Sequence, residues 1–213
     1  QGNSTSGMGV IKKGFRLSTY NLLIDGAKAE QTTVSTPYKN VWIIPAGIDL
    51  AGAEIELVEL ERRIFRLRAA LLPAKERFDY ILIDCPPSLG LVTLNALTAC
   101  DTMLIPIQCE YYALEGLSQL IATVRQVKRL YNSRIDIEGV LLTMYDGRLN
   151  LTLQVVDEVK KFFPNKVFKT VIPRNVRLSE APGFGMPVLY YDRVSRGAAC
   201  YLELADELMR NEG

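Results

Sequence analysis

Short apolar runs alternate along the chain with longer segments whose apolar residues recur every three or four positions. The short runs are near-continuous, which is typical of strands that are covered on both faces. They predict five strands, over 41–45, 80–84, 102–107, 140–144 and 167–172. The longer segments predict five helices, over 55–72, 89–99, 113–131, 151–163 and 198–209.

This alternation favours βαβ crossovers, in which a helix joins two parallel strands. We therefore predict an α/β fold with a doubly wound, mostly parallel sheet flanked by helices. No repeat, low-complexity tract or interdomain linker interrupts the pattern, so we expect residues 1–213 to form a single domain. The apolar runs are far shorter than the ~20 residues that a bilayer span requires, so we expect no transmembrane helix.

The composition narrows the possible chemistry. The chain has no histidine, which excludes Ser-His-Asp and Cys-His nucleophilic sites and histidine-ligated zinc. Its four cysteines lack CxxC spacing, and most lie in or beside apolar segments, so we expect buried thiols in a reducing compartment. They are Cys85, Cys100, Cys109 and Cys200.

The net charge of +1 hides an uneven distribution. Residues 49–61 contain five acidic residues and no basic one, whereas residues 159–179 contain six basic residues and no acidic one. A solvated surface explains most such runs, but the basic stretch also suits a polyanion such as nucleic acid. The six basic residues are Lys160, Lys161, Lys166, Lys169, Arg174 and Arg177.

The predicted strand over 80–84 ends in Asp84. Ligands of open α/β sheets bind beyond the carboxyl ends of the strands. An apolar strand followed by Asp is the Walker B pattern, in which the carboxylate holds Mg²⁺ beside nucleotide phosphates. A strand also commonly ends in Asp where the chain reaches solvent, so this run alone leaves both interpretations open.

Four further segments carry long, ordered motifs: IDCPPSLG over 83–90, QCEYYALEGL over 108–117, IPRNVRLSEAP over 172–182 and YDRVSRG over 191–197. Together with QGNSTSG over 1–7, they resemble the ParA/Soj family of chromosome- and plasmid-partitioning ATPases. The resemblance implies a deviant Walker ATPase that binds Mg-ATP and forms a homodimer with ATP sandwiched between the subunits. It further implies nonspecific DNA binding, a ParB-like centromere-binding partner, and a bacterial protein that is cytoplasmic and nucleoid-associated, with no membrane attachment.

The resemblance also assigns nucleotide-site residues. Asp84 corresponds to the Walker B acid, which holds Mg²⁺ through water, and Pro86 lies in the switch segment that senses the γ-phosphate. Three residues, Met144, Pro173 and Asn175, lie where the family closes around the adenine.

Two arginines, Arg148 and Arg177, resemble the surface arginines through which Soj-like proteins contact DNA. A planar guanidinium can engage two phosphate oxygens at once. Such contacts carry affinity without sequence information, which suits binding anywhere on a nucleoid. Arg174, in the same stretch, equally suits an intramolecular ion pair.

One family element is missing from the sequence: no G-x-x-x-x-G-K-[ST] pattern occurs. The family carries its phosphate-binding lysines, its Mg-binding Thr and its water-orienting Asp before the Gln-Gly-Asn element. We therefore expect residues 1–213 to lack the first β-α-β unit and every catalytic residue, and the intact protein to be about 40 residues longer. We expect almost no ATPase activity from these residues alone, and an unpaired neighbour position beside the strand over 80–84.

Two other functions stay open. One is a MinD-like ATPase that positions the division machinery, although that family ends in a basic amphipathic helix and residues 204–213 here are short and acidic. The other is a nucleotide-independent DNA-binding or adaptor paralogue that keeps only the basic face. A phosphate loop in the full-length gene would favour the ATPase over the adaptor.

Overall fold

The computed structural model describes residues 2–11, 15–86, 88–110 and 115–211. Backbone contacts divide the chain into two compact units, each with its own core. The first unit is drawn from Gln1–Asp101, Gln126–Ile135 and Phe184–Met186, and the second from Thr102–Arg125, Asp136–Gly183 and Pro187–Gly213.

Helices predominate in the described part of the chain. The α-helices are α1 Asn3–Gly7, α2 Thr19–Leu23, α3 Ala29–Thr32, α4 Ala53–Glu56, α5 Arg66–Leu71, α6 Leu91–Ala99, α7 Glu115–Leu130, α8 Asn150–Phe162, α9 Val176–Glu180, α10 Val188–Tyr191 and α11 Arg196–Asn211. Short 3-10 turns cover Ile48–Ala51, Leu57–Glu59, Leu72–Glu76 and Ala181–Phe184. The strands are β1 Val34–Ser35, β2 Trp42–Ile43, β3 Thr102–Gln108 and β4 Asp136–Thr143.

The second unit is built on a parallel sheet. β3 pairs with β4 from Thr102 opposite Asp136 to Gln108 opposite Thr143. The chain over 167–173 runs parallel along the other side of β4, joined by bridges from Val140 to Val167 and from Tyr145 to Pro173. The strands predicted over 102–107 and 140–144 are therefore present, whereas the segment predicted over 167–172 forms bridges rather than a continuous strand.

Helices cover both faces of this sheet. Alternate residues of a strand point to opposite faces, and Val140 and Leu142 of β4 are buried in one cluster while Leu141 is buried in another. The first cluster packs β3 and β4 against α7 and α8, and the second packs β4 against Phe168 and α11. This two-sided burial explains the near-continuous apolar runs of the sequence.

The first unit has a mainly helical core. Its buried residues come from α2 to α6, and its strands β1 and β2 form a separate antiparallel pair with Val34 opposite Ile43. The strand predicted over 41–45 thus shrinks to Trp42–Ile43 and lies outside the parallel sheet.

The single helix predicted over 55–72 is wrong. α4 ends at Glu56, α5 begins at Arg66, and Arg62 between them has a left-handed φ of 53°. No glycine or proline lies within α4, α5 or the chain between them, so nothing in the local sequence signals this break.

Buried side chains of α6 explain the break. Asn95 donates a hydrogen bond to the carbonyl of Arg63 (2.7 Å) and accepts one from the backbone N–H of Leu67 (3.1 Å). The hydroxyl of Thr98 donates to the carbonyl of Ile64. Backbone groups that a continuous helix would pair internally are therefore satisfied by side chains instead.

The strand predicted over 80–84 is also wrong. This segment belongs to no β-ladder in the described part of the chain, and Leu82 is 88% exposed. An apolar run forms a strand only where a neighbour satisfies its backbone groups. Within residues 2–11, 15–86, 88–110 and 115–211, no segment provides that neighbour.

None of the helices in the described ranges combines the length and the apolar character that crossing a bilayer demands.

Candidate functional site

In the first unit, Asp84 is exposed at the end of the segment over 80–84, and the exposed Pro86 follows two residues later. The hydroxyl of Ser4, in α1, donates a hydrogen bond to the Asp84 carboxylate. The buried Thr5 fixes α1 in place, because its Oγ1 accepts from the backbone N–H of Ala46 (2.9 Å) and donates to the Ala46 carbonyl (3.2 Å). The structure thus presents a carboxylate and a hydroxyl at one exposed position.

These oxygen atoms fit a magnesium ion. Mg²⁺ prefers oxygen ligands, and it is usually held by one or two carboxylates, with water and phosphate oxygens completing its shell. No group of three or more His, Cys, Asp and Glu side chains that could hold a metal occurs among the described residues. A single carboxylate such as Asp84 suits the Mg-nucleotide mode, in which the nucleotide supplies part of the shell.

In the second unit, Met144 and Pro173 lie at the carboxyl ends of adjacent parallel segments. Met144 directly follows β4, is 38% exposed and has a φ of 51°. The backbone N–H of Tyr145 donates to the carbonyl of Ile172 (3.0 Å), which aligns the two segment ends. A left-handed φ is uncommon outside glycine, and such positions cluster at ligand sites.

Asn175 begins α9 as its N-cap. Its Oδ1 accepts a hydrogen bond from the backbone N–H of Arg177 (2.9 Å). Capping uses the amide oxygen and leaves the donor hydrogens of Nδ2 outside this contact.

Arg148 is held in a bidentate pair with Asp146. Its Nε donates to Asp146 Oδ1 (2.9 Å) and its Nη2 to Oδ2 (2.7 Å). These bonds, with the Arg148 backbone N–H, lower the pKa of Asp146 to about 2. The Arg148 side chain is nevertheless 88% exposed, and its Nη1 hydrogens point away from this pair.

Arg177 is shared between two carboxylates. Its Nη1 lies 2.8 Å from Glu180 Oε2 and its Nε 3.1 Å from Asp192 Oδ2. The hydroxyl of Tyr191 also donates to Glu180 (3.1 Å). The Arg177 hydrogen bond, above the others, lowers the pKa of Glu180. Glu180 and Asp192 of the same unit therefore orient the Arg177 guanidinium, and the Arg177 side chain is half exposed.

The alternative left open for Arg174 is resolved, because Arg174 forms an ion pair with Glu110. Carboxylate partners within the second unit hold four of the six basic residues between 159 and 179. The pairs are Lys161–Glu158, Lys166–Asp136, Arg174–Glu110 and Arg177 with Glu180 and Asp192. Most of the basic stretch is thus an ion-paired surface.

The structure brings the predicted site residues together in two groups. One group follows the ends of neighbouring segments of the second unit's sheet and consists of Met144, Arg148, Pro173 and Asn175, with Arg177 in the first turn of α9. Asp84 and Pro86 belong to the first unit.

Sequence reasoning missed Ser4 and Asp146. Ser4 lies in the polar QGNSTSG run, whose five hydroxyl and amide side chains gave no means of choosing among them. Asp146 lies just after the strand predicted over 140–144, as Asp84 lies at the end of the run predicted as a strand over 80–84, and this position could have identified it. The expectation of buried cysteines is wrong for Cys85, which is exposed, and right for Cys109.

A cavity of about 600 Å³ opens in the first unit between the 60–65 segment and α6. None of the predicted site residues lines it. Its lining residues are Leu60, Arg62, Arg63, Ile64, Phe65, Leu91, Leu94 and Tyr131.

Comparison with known proteins finds one matching family and several similar proteins. Residues 1–137 match the family described as "AAA domain". The chain is 57% identical over 211 residues to "Sporulation initiation inhibitor protein Soj" of Bacillus subtilis, covering 99% of this chain and 83% of that protein. It is 50% identical over 212 residues to "Chromosome partitioning protein ParA" of Myxococcus xanthus, covering 100% of this chain and 75% of that one.

A solved structure shares the fold. Cobyrinic acid a,c-diamide synthase from Mycobacterium smegmatis, with bound ADP and magnesium, aligns at a TM-score of 0.81 and 32% identity. The alignment covers 97% of this chain and 76% of that one. The fold class is therefore that of the P-loop ATPases, with a parallel sheet flanked by helices, as predicted.

The match to the AAA domain and the high identity to two partitioning proteins agree on a narrower assignment. The chain belongs to the ParA/Soj family of chromosome-partitioning ATPases, which confirms the resemblance seen in the sequence motifs.

Proposed function

We propose that this protein is a partition ATPase that binds Mg-ATP, forms a homodimer around the nucleotide and binds DNA without sequence preference. With a ParB-like centromere-binding partner, it segregates chromosome or plasmid DNA. The observation that carries this proposal is the 57% identity to Soj across 99% of the chain. The proposed location is the bacterial cytoplasm, on the nucleoid.

Asp84 is the residue that holds the magnesium, through water. The exposed carboxylate and the Ser4 hydroxyl bound to it support this role. Bound Mg²⁺ neutralises phosphate charge in phosphoryl transfer. Ser4 orients the carboxylate, and Pro86, two residues further on, lies in the segment that responds to the γ-phosphate.

The adenine site is formed by Met144, Pro173 and Asn175. Their position at the carboxyl ends of adjacent parallel segments is where α/β proteins bind ligands. The M. smegmatis relative, which shares the fold, holds bound ADP, and this supports nucleotide binding by the fold.

Because no G-x-x-x-x-G-K-[ST] pattern occurs in residues 1–213, these residues alone have almost no ATPase activity.

DNA contact is made by Arg148 and Arg177. Both side chains are at least half exposed, and each keeps guanidinium hydrogens beyond those used by its carboxylate partners. Asp146, Glu180 and Asp192 hold the two guanidiniums in fixed directions, which reduces the entropy lost when a phosphate binds.

A DNA-retention assay tests the proposal. Protein expressed from its native gene is tested by electrophoretic shift at physiological salt with ATP, with ADP and without nucleotide. Retention should require ATP, and Arg148→Glu and Arg177→Glu should abolish it without loss of ATP binding. Arg77→Glu is the matched control, because Arg77 is also an exposed arginine beside a carboxylate, Glu30.

Unchanged DNA retention by both variants would show that Arg148 and Arg177 do not contact DNA. Equal retention with and without nucleotide would favour the nucleotide-independent adaptor instead.

A further inference from the structure

Glu54 of α4 caps the amino-terminal end of α6. Its Oε2 accepts the backbone N–H of Leu91 (2.7 Å) and its Oε1 that of Val92 (3.1 Å). The first N–H groups of a helix have no partner within the helix. One carboxylate satisfies two of them, at the end of the helix where the macrodipole favours negative charge.

Gly90 provides the space for this contact. A Cβ atom at this position would lie 2.5 Å from both carboxylate oxygens of Glu54. The φ of Gly90 is −78°, which any residue adopts, so the glycine is needed for the close approach and not for its backbone conformation. Any side chain at position 90 would force the Glu54 carboxylate to shift from its place at the end of α6.

The clamped helix begins seven residues after Asp84, the proposed magnesium-holding residue. The Ser4 hydroxyl donates a hydrogen bond to the Asp84 carboxylate. The Glu54 carboxylate accepts one from the backbone N–H of Leu91, in the first turn of α6. Between them, the Thr93 hydroxyl donates to the Ser88 carbonyl (2.6 Å). Asp84 and the start of α6 are therefore each anchored by side chains from other segments.

We propose that Glu54 and Gly90 form a clamp that fixes the start of α6 and, through it, the position of Asp84 toward a Mg-nucleotide. Glu54 is a positioning residue that acts through Asp84. The inference rests on the proposed function for Asp84, whereas the clamp itself rests on the contacts above. One member of the acidic run over 49–61 thus has an internal partner.

A double-mutant cycle tests the clamp. Amide hydrogen exchange is measured at Leu91 and Val92 in wild type, Glu54→Ala, Gly90→Ala and the double variant. Each single variant should speed exchange about 10-fold, because both lose the same charged acceptor. The double variant should exchange no faster than the single ones, since only one clamp exists to lose.

Glu59→Ala is the control, because Glu59 is an exposed acid of the same run and should leave exchange unchanged. Additive effects of the two substitutions, or unchanged exchange in Glu54→Ala, would overturn the clamp. Circular dichroism of each variant confirms that it is folded, and Glu54→Gln, which keeps the size and loses the charge, replaces Glu54→Ala in the single and double variants if Glu54→Ala does not fold.

Binding of a fluorescent ATP analogue to protein expressed from its native gene tests the consequence for Asp84. Glu54→Ala should weaken the Mg-dependent affinity about 3- to 10-fold and leave Mg-independent binding unchanged, because the clamp acts through Asp84. Equal Mg-dependent affinity in the variant and in a binding-competent wild type would overturn the positioning role. Failure of wild type to bind Mg-nucleotide would instead refute the proposed function, and the exchange cycle would still decide the clamp.

Discussion

Asn95→Ala should destabilise the first unit strongly, because Asn95 joins α6 to the chain between α4 and α5. Its side chain is 0% exposed. It donates to the carbonyls of Arg63 (2.7 Å) and Leu91 (2.9 Å) and accepts from the backbone N–H of Leu67 (3.1 Å).

The magnitude follows from what the substitution leaves behind. The Leu91 carbonyl retains its own helical bond, so its loss is small. The buried N–H of Leu67 loses its acceptor, which costs about 1–3 kcal/mol, and the bond to the part-buried carbonyl of Arg63 contributes about 0.5–1.5 kcal/mol. We therefore expect a loss of about 1.5–4.5 kcal/mol, a large part of the stability of an ordinary domain.

Urea unfolding followed by far-ultraviolet circular dichroism measures this loss. Gln154→Ala, at an exposed position of α8, is the control and should change the unfolding free energy by less than about 0.5 kcal/mol. Asn95→Asp should be worse than Asn95→Ala at neutral pH, because its carboxylate would face the carbonyl of Arg63. A change in Asn95→Ala as small as that in the control would refute the role given to this side chain.

Three further predictions concern the second unit. Gly139→Ala should cost about 1–3 kcal/mol in urea unfolding, because the added Cβ would overlap the ring of the buried Phe168. Arg148→Ala should raise the pKa of Asp146 from about 2 toward its usual 3.8, as followed by carboxyl NMR titration; an unchanged pKa would show that Arg148 does not hold this carboxylate. Since Arg177 lowers the pKa of Glu180, the stability gained from that pair is present above the ordinary value of 4.5 and is lost as the pH falls through the native pKa. Arg177→Ala should therefore flatten the acid limb of the stability profile, and an unaltered limb would contradict the pairing.

The sequence predicts the second unit better than the first. The strand over 102–107 and the helix over 151–163 match β3 and α8 to within a residue at each end. β3 is covered on both faces and α8 is amphipathic. The burial of each depends on regularly spaced apolar residues, so the apolar pattern within the segment predicts it well.

The failures in the first unit have tertiary causes. The apolar spacing over 55–72 is helical, yet Asn95 and Thr98 of α6 bind the backbone there and the helix breaks. The apolar run over 80–84 reads as a strand, yet strand formation depends on a neighbour that the described residues do not include. The apolar pattern within one segment carries no information about the α6 side chains that break the helix or about the neighbour that a strand needs.

The candidate site follows the same division. The end of the strand predicted over 80–84 indicated Asp84, because ligands of α/β sheets lie beyond such ends. Met144 was assigned by the resemblance to the ParA/Soj family. Ser4 holds Asp84 through a contact between residues 80 positions apart, which no local pattern predicts. Asp146 holds Arg148 from only two residues away. Glu54 belongs to the acidic run over 49–61, and composition alone predicts that such a run faces solvent.

Mg-dependent nucleotide binding tests the central claim most directly. The affinity for ATP is measured by calorimetry with and without Mg²⁺ for wild type, Asp84→Asn and the control Asp25→Asn, all expressed from the native gene. We expect Mg²⁺ to tighten ATP binding in wild type and in the control, and Asp84→Asn to lose about 10-fold or more of that gain. The same Mg-dependent affinity in Asp84→Asn as in wild type would contradict the assignment of Asp84 as the magnesium-holding residue.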